Sequence, residues 1–146
     1  MHKQFFAFLL GAEEVPPVRT PATGSFIAWV NKDRTKIHYR LNVENIRNMT
    51  QAHIHLGARG VNGPVVADLF RSVKRGISVA QGCVNGTITR RDLVGPLRGK
   101  SIASLVECMK KCKTYVNVHT EQNPNGEIRG QIVQRVFELN KKSRQR

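Results

Sequence analysis

Phe26-Ile27-Ala28-Trp29-Val30-Asn31-Lys32-Asp33-Arg34-Thr35-Lys36-Ile37-His38-Tyr39-Arg40-Leu41 holds two runs of β-branched and aromatic residues on either side of a polar turn. Asn and Asp accept turn geometry at low cost, so Asn31 to Arg34 reads as the turn of an antiparallel hairpin. Working outward, turn signals recur at short intervals and divide the chain into strand candidates at 4–10, 24–31, 36–44, 49–56, 65–70, 84–88, 114–120 and 127–136. Asn123-Pro124-Asn125-Gly126 is a second strong turn, joining the last two of these. Thr89 to Leu93, capped by Thr89, and 105–111 are the helical candidates. The prediction is an all-β, antiparallel, Greek-key-like sandwich of about eight strands with one or two short helices.

At 146 residues the chain suits one domain, predicted over 1–136 with a basic tail over 137–146. Hydrophobic residues make up 40% of it, too many for a disordered basic tail, and no stretch approaches the length of a membrane-spanning helix. No segment repeats, which excludes solenoids and propellers. The opening Lys3 and the apolar run Phe5 to Leu10 imitate a secretory signal, but Glu13-Glu14 and Pro16-Pro17 follow where a small-residue cleavage site would stand. Phe6, Phe8 and Leu10 read instead as one face of a first strand. The expectation is synthesis in the cytoplasm without a cleavable signal peptide, and incorporation into a cell-surface or spore-type structure.

Twenty-four Lys and Arg against ten Asp and Glu give a net charge of +14. Residues 1–73 hold nine basic and five acidic residues and 74–146 hold 15 and five, so the second half dominates the charge. Arg71, Lys74 and Arg75 form one cluster, Lys110, Lys111 and Lys113 another, and the tail a third; an anionic polymer or an acidic protein surface fits them. Aromatic residues are not interleaved with these clusters, so nucleic acid is expected to bind only nonspecifically. Cys83, Cys108 and Cys112 are an odd number, too few for a disulfide framework. Cys108 and Cys112, four apart, read as small buried thiols beside a basic helical face, the other reading being a metal pair, and the odd count also allows an interchain disulfide. With the apolar N-terminal strand they predict a homo-oligomer or filament; the alternative is a monomer whose tail packs on its own sheet.

The segment richest in chemistry is Thr50-Gln51-Ala52-His53-Ile54-His55-Leu56-Gly57. In a strand Gln51, His53 and His55 share one face while Ala52, Ile54 and Leu56 take the core face. Tyr115-Val116-Asn117-Val118-His119-Thr120 divides the same way, with Tyr115, Asn117 and His119 outward. If the two strands are neighbours, His53, His55 and His119 converge on one point, a geometry that copper and zinc sites use. The other reading is that these His and Asn side chains satisfy one another and the loop Gly57 to Pro64 by hydrogen bonds without a metal. His38 should face solvent. Nucleophile elbows, phosphate loops and dinucleotide fingerprints are absent, and the only adjacent acidic pair, Glu13-Glu14, would point to opposite faces of a strand.

Three ordered motifs then carry a family resemblance. Phe6-x-Phe8-x-Leu10-Gly11-Ala12-Glu13-Glu14-Val15-Pro16-Pro17-Val18 is the first, and Ala52-His53-Ile54-His55-x-Gly57-x-x-Gly60-x-Asn62-Gly63-Pro64-Val65-Val66 the second. The third is Tyr115-Val116-Asn117-Val118-His119-Thr120-x-x-Asn123-Pro124-x-Gly126-Glu127-Ile128-Arg129-Gly130-Gln131. Together they resemble the CHRD domain first described in chordin, over roughly residues 4 to 134. The resemblance implies a stand-alone domain of bacterial type whose N-terminal strand is retained, a binding or structural module without firmly attached enzymatic activity, and structural roles for Asn62, Asn117, Glu127 and Arg129. The chain departs from the pattern at Cys112, where a Gly usually closes the short helix, which puts a left-handed cap there in question. The His-x-His strand and the later His also look like the metal strands of Cu/Zn superoxide dismutases, Greek-key sandwiches whose bridging His and zinc Asp have no evident counterparts here. That analogy implies the competing function, a copper- or zinc-binding protein with dismutase-like chemistry.

Overall fold

A computed structural model describes residues 3–72 and 75–135. Eight strands follow one another as β1 (Lys3–Leu10), β2 (Thr23–Val30), β3 (Ile37–Leu56), β4 (Val65–Arg71), β5 (Ile77–Ile88), β6 (Thr114–Thr120), β7 (Ile128–Gln131) and β8 (Val133–Gln134), with one helix, α1 (Ile102–Lys110). All strand pairings are antiparallel. The sheet runs β2-β1-β7-β6-β3-β4, with β2 also paired to β3, so it closes on itself as a barrel-like sandwich.

The closure depends on β3. Its first half lies between β2 and β5 and its second half between β6 and β4, so one strand serves both layers. The chain turns between layers where Asn45 and Asn48 take φ of 53° and 55°, a left-handed region that Asn tolerates better than most residues. The sequence reading had 36–44 and 49–56 as two strands because the polar stretch between them mimics a loop. Conversely, the segment 127–136 divides into β7 and β8 around Ile132, and β5 begins at Ile77 rather than at Val84. The missed part of β5 is largely exposed, so no hydrophobic alternation marks it.

Phe5, Ala7 and Leu9 of β1 pack with Phe26 and Ala28 of β2, Ile37 and Leu41 of β3, and Val116 and Val118 of β6 in the core. In β1 the core face is therefore the one opposite Phe6, Phe8 and Leu10. The Asn31 turn forms as expected: its Oδ1 accepts from the Thr35 and Lys36 amides. Thr89 and Asp92 cap a 3-10 turn through the Asp92 carboxylate. Helix α1 starts earlier than expected, at Ile102, with Ser101 Oγ accepting from the Ser104 amide, and buries Ile102, Leu105, Val106 and Met109. After it Cys112 itself adopts φ 57°, so the left-handed cap is kept without glycine. The cysteines are free; Cys83 is exposed, and Cys112 is exposed and Cys108 half-buried, which corrects the expectation that the last two are buried thiols. The tail 137–146 and Lys74 of the first basic cluster lie outside the described residues. Among the described residues no helix is long and apolar enough to cross a membrane.

Candidate functional site: a histidine cup

Strands β3 and β6 pair so that Gln51 faces His119, His53 faces Asn117 and His55 faces Tyr115. On the other side of β3, His53 pairs with Asp68 of β4, and beyond β6 Asn117 pairs with Arg129 of β7. Residues paired across strands project to one side of a sheet, so alternation places His53, His55, His119, Asn117, Tyr115, Asp68 and Arg129 on a single face. The three rings meet there, with centroids 4.8 Å apart for His53 and His119, 5.6 Å for His53 and His55, and 6.1 Å for His55 and His119.

This face is away from the hydrocarbon core, yet His53 and His55 are only 6% and 7% exposed. The expectation that both histidines would be exposed is thus corrected, because loops close over them. The loop from Gly57 to Pro64 folds onto the face: Tyr115 Oη accepts from the Gly63 amide, and His55 Nδ1 donates to the Gly63 carbonyl at 2.8 Å. From the other side, His119 Nδ1 donates to the Pro124 carbonyl at 2.6 Å. Burial pushes the pKa of His53 down to about 4, helped by the neighbouring His119 and opposed by Asp68. Burial also holds His55 below its ordinary value, so both rings are neutral at neutral pH. His53 Nε2 lies 3.2 Å from Asp68 Oδ1, while His53 Nδ1 and His55 Nε2 are buried with no hydrogen-bond partner of standard geometry.

The walls are built from the remaining motif residues. Arg129 is 2% exposed; it donates to Asn62 Oδ1 and to the Ala58 and Val61 carbonyls, which pins the 57–64 loop. Its guanidinium lies 3.5 Å from the centroid of the Tyr115 ring, and Tyr115 stacks on His55 at 4.7 Å with 6° between planes. Asn62 Nδ2 donates to the Val15 carbonyl, and Glu13 takes Arg59 in a bidentate pair, so the Glu-Val-Pro-Pro segment with its cis Val15–Pro16 bond is tied to the same loop. Glu127 accepts from Thr20, Thr120, Gln122 and Asn123; burial raises its carboxyl, but the four donors outweigh that and hold it below its ordinary value. These bonds shape the turn that carries Pro124. Asn117 Oδ1 stands 3.0 Å from His119 Nε2.

Two carboxylates that the sequence reading does not assign to this site belong here. Asp68 reaches His53 only through strand pairing, and nothing in its own neighbourhood signals that. Glu14 is 5% exposed; burial pushes its carboxyl up to about 7 against the opposing pull of Arg129 and Asn117. Its place in the conspicuous Glu-Val-Pro-Pro motif was the available signal. The cysteines take no part in the cup. Among the described residues, His53, His55 and His119 are a group able to hold a metal ion, with one ligating atom from each lying within 4.8 Å of the others. His38 stands apart, bonded to Thr87.

A family model described as the CHRD domain matches residues 5–132. No curated protein matches the chain significantly.

Proposed function

The chain belongs to the CHRD domain family, and from that premise we propose that it is a non-enzymatic binding and structural module that associates with copies of itself through the outer face of β1, β2 and β8. The polar motif residues support the absence of catalysis: Asn62, Arg129 and Glu127 are committed to fixing loops. The observation that carries self-association is an apolar strip. Phe6, Phe8 and Leu10 of β1, Ile27 and Trp29 of β2 and Val133 of β8 share the face opposite the core, since Phe6 pairs with both Ile27 and Val133. Phe8 is 67% exposed, and Leu10, Ile27, Trp29 and Val133 are exposed as well. A contiguous strip of this kind marks an interaction surface, whereas scattered single residues would not.

The charge of +14 opposes contact between copies, so association by this face strengthens as salt rises. Attachment to an anionic polymer through the basic clusters would weaken instead, which separates the two. Light scattering across a range of salt, with and without reductant, tests the reading on the wild type and on Phe8→Ser. The expected result is an oligomer that grows with salt, persists in reductant and dissociates in the variant. A monomeric mass for the wild type under every condition would overturn it.

A further inference from the structure

We infer that His53, His55 and His119 form a binding site for one divalent transition-metal ion of the zinc and copper class, held by three imidazole nitrogens with Asp68 as the outer carboxylate. The inference goes beyond self-association and rests on different residues. Its basis is the way each ring is anchored. His53 Nε2 faces the Asp68 carboxylate, His55 Nδ1 the Gly63 carbonyl and His119 Nδ1 the Pro124 carbonyl. Carbonyl oxygens only accept, so in the neutral rings of His55 and His119 the anchored Nδ1 carries the proton and Nε2 the lone pair; in His53 the Asp68 carboxylate, an ion-pair contact 3.2 Å from Nε2, favours the proton on that nitrogen.

The lone pairs therefore fall on His53 Nδ1, His55 Nε2 and His119 Nε2. The first two are buried without a partner, and a buried acceptor left unpaired costs free energy. The third faces Asn117 Oδ1, itself an acceptor as placed. The two unpaired nitrogens, His53 Nδ1 and His55 Nε2, share one cause: each is an electron pair in need of an acid. Fixing one imidazole nitrogen on a carboxylate or carbonyl so that the other can coordinate is the outer-sphere arrangement of histidine metal sites.

Size and chemistry agree. Tetrahedral ligation with metal–nitrogen bonds of about 2.0–2.1 Å separates ligand nitrogens by about 3.3 Å. One ring nitrogen from each of the three histidines already lies within 4.8 Å of the others, close to that spacing. Imidazole selects zinc, copper, nickel or iron over magnesium and calcium, which require oxygen ligands. Three ligands leave a fourth position open to solvent or to a small ligand.

The test uses untagged protein with Cys83, Cys108 and Cys112 replaced by Ser, stripped with a chelator and titrated separately with zinc and copper ions, with magnesium as control. Calorimetry and chelator competition read stoichiometry and affinity, and circular dichroism reads folding. The expected result is one equivalent of zinc or copper and none of magnesium. Affinity should fall by at least about 100-fold in His53→Ala and His119→Ala, by about 10- to 100-fold in Asp68→Asn, and not at all in His38→Ala. Absence of saturable binding, or full binding by a folded His53→Ala or His119→Ala variant, would overturn the site. If both histidine variants unfold, Asp68→Asn decides: its side chain is half exposed, and unchanged affinity in that variant would equally overturn the inference.

Discussion

Glu14 offers a measurement in which the buried polar face reports on itself. Its carboxyl is 5% exposed, its Oε2 has no hydrogen-bond partner, and its pKa rises from the ordinary 4.5 to about 7, chiefly by burial. The folded protein therefore takes up a proton near pH 7 that the unfolded chain takes up only near 4.5. A carboxyl whose folded pKa is raised contributes stability that is fully present below the unfolded value and is lost as pH rises through the folded one. A difference of 2.5 between 7 and 4.5 corresponds to about 3 kcal/mol. The Glu14→Gln substitution keeps the shape and removes the titration, so the wild type should gain about 3 kcal/mol relative to the variant between about pH 8 and about pH 4. Urea unfolding of both proteins across that range, analysed as the difference at each pH, is the assay. The difference is essential because His53, with its pKa lowered to about 4, acts in the opposite sense, losing its contribution as pH falls below the unfolded histidine value. A difference constant to within about 0.5 kcal/mol from end to end would refute the claim that burial governs Glu14.

Other substitutions probe the same architecture. Gly126 has φ 126°, and a Cβ there would stand 2.5 Å from Glu14 Oε2 and 2.6 Å from Asn117 Nδ2, so Gly126→Ala should cost about 2 kcal/mol or more in denaturant unfolding. Arg129→Met leaves Asn62 Oδ1 and the Ala58 and Val61 carbonyls without their donor and should destabilise by about 3–5 kcal/mol; Arg129→Lys should recover little, since an ammonium cannot reproduce the flat fork over Tyr115. Cys112 holds φ 57° at the end of α1, so Cys112→Gly should raise stability by about 0.5–1 kcal/mol, visible as a higher melting temperature.

How far the sequence reveals this molecule depends on whether a feature is local. The hairpin around Asn31 and the turn at Asn123 to Gly126 are written in consecutive residues, and both form. Alternation in 50–57 and 115–120 also reads correctly, because strand geometry assigns His53, His55 and His119 to the face opposite Ile54 and Val118 without any knowledge of the partner strand. Alternation says which face a side chain takes, not whether that face is covered. His53 and His55 are buried because Arg129, distant in sequence, grips the carbonyls of Ala58 and Val61, and because Asn62 of the same loop reaches the Val15 carbonyl. The same limit hid Asp68, which reaches His53 only across β4, and Glu14, which reaches the cup only because its segment is strapped down. It also hid the continuity of β3, since the residues that turn it between layers are the polar residues that would end an ordinary strand.

The three separated motifs thus have one physical explanation. Glu-Val-Pro-Pro supplies a strap, the Gly-rich loop a lid, and the Asn-Pro-x-Gly-Glu-x-Arg run the bolts, with the loop tied to the strap by the Glu13–Arg59 pair and the Asn62 amide and to the bolts by Arg129. Desolvating Arg129, Glu14 and two histidines is costly, and an apolar patch of the same shape would close that end of the sandwich with less expenditure of free energy. The polar construction suits the metal site inferred above, in which the unpaired inner nitrogens of His53 and His55 would serve as ligands.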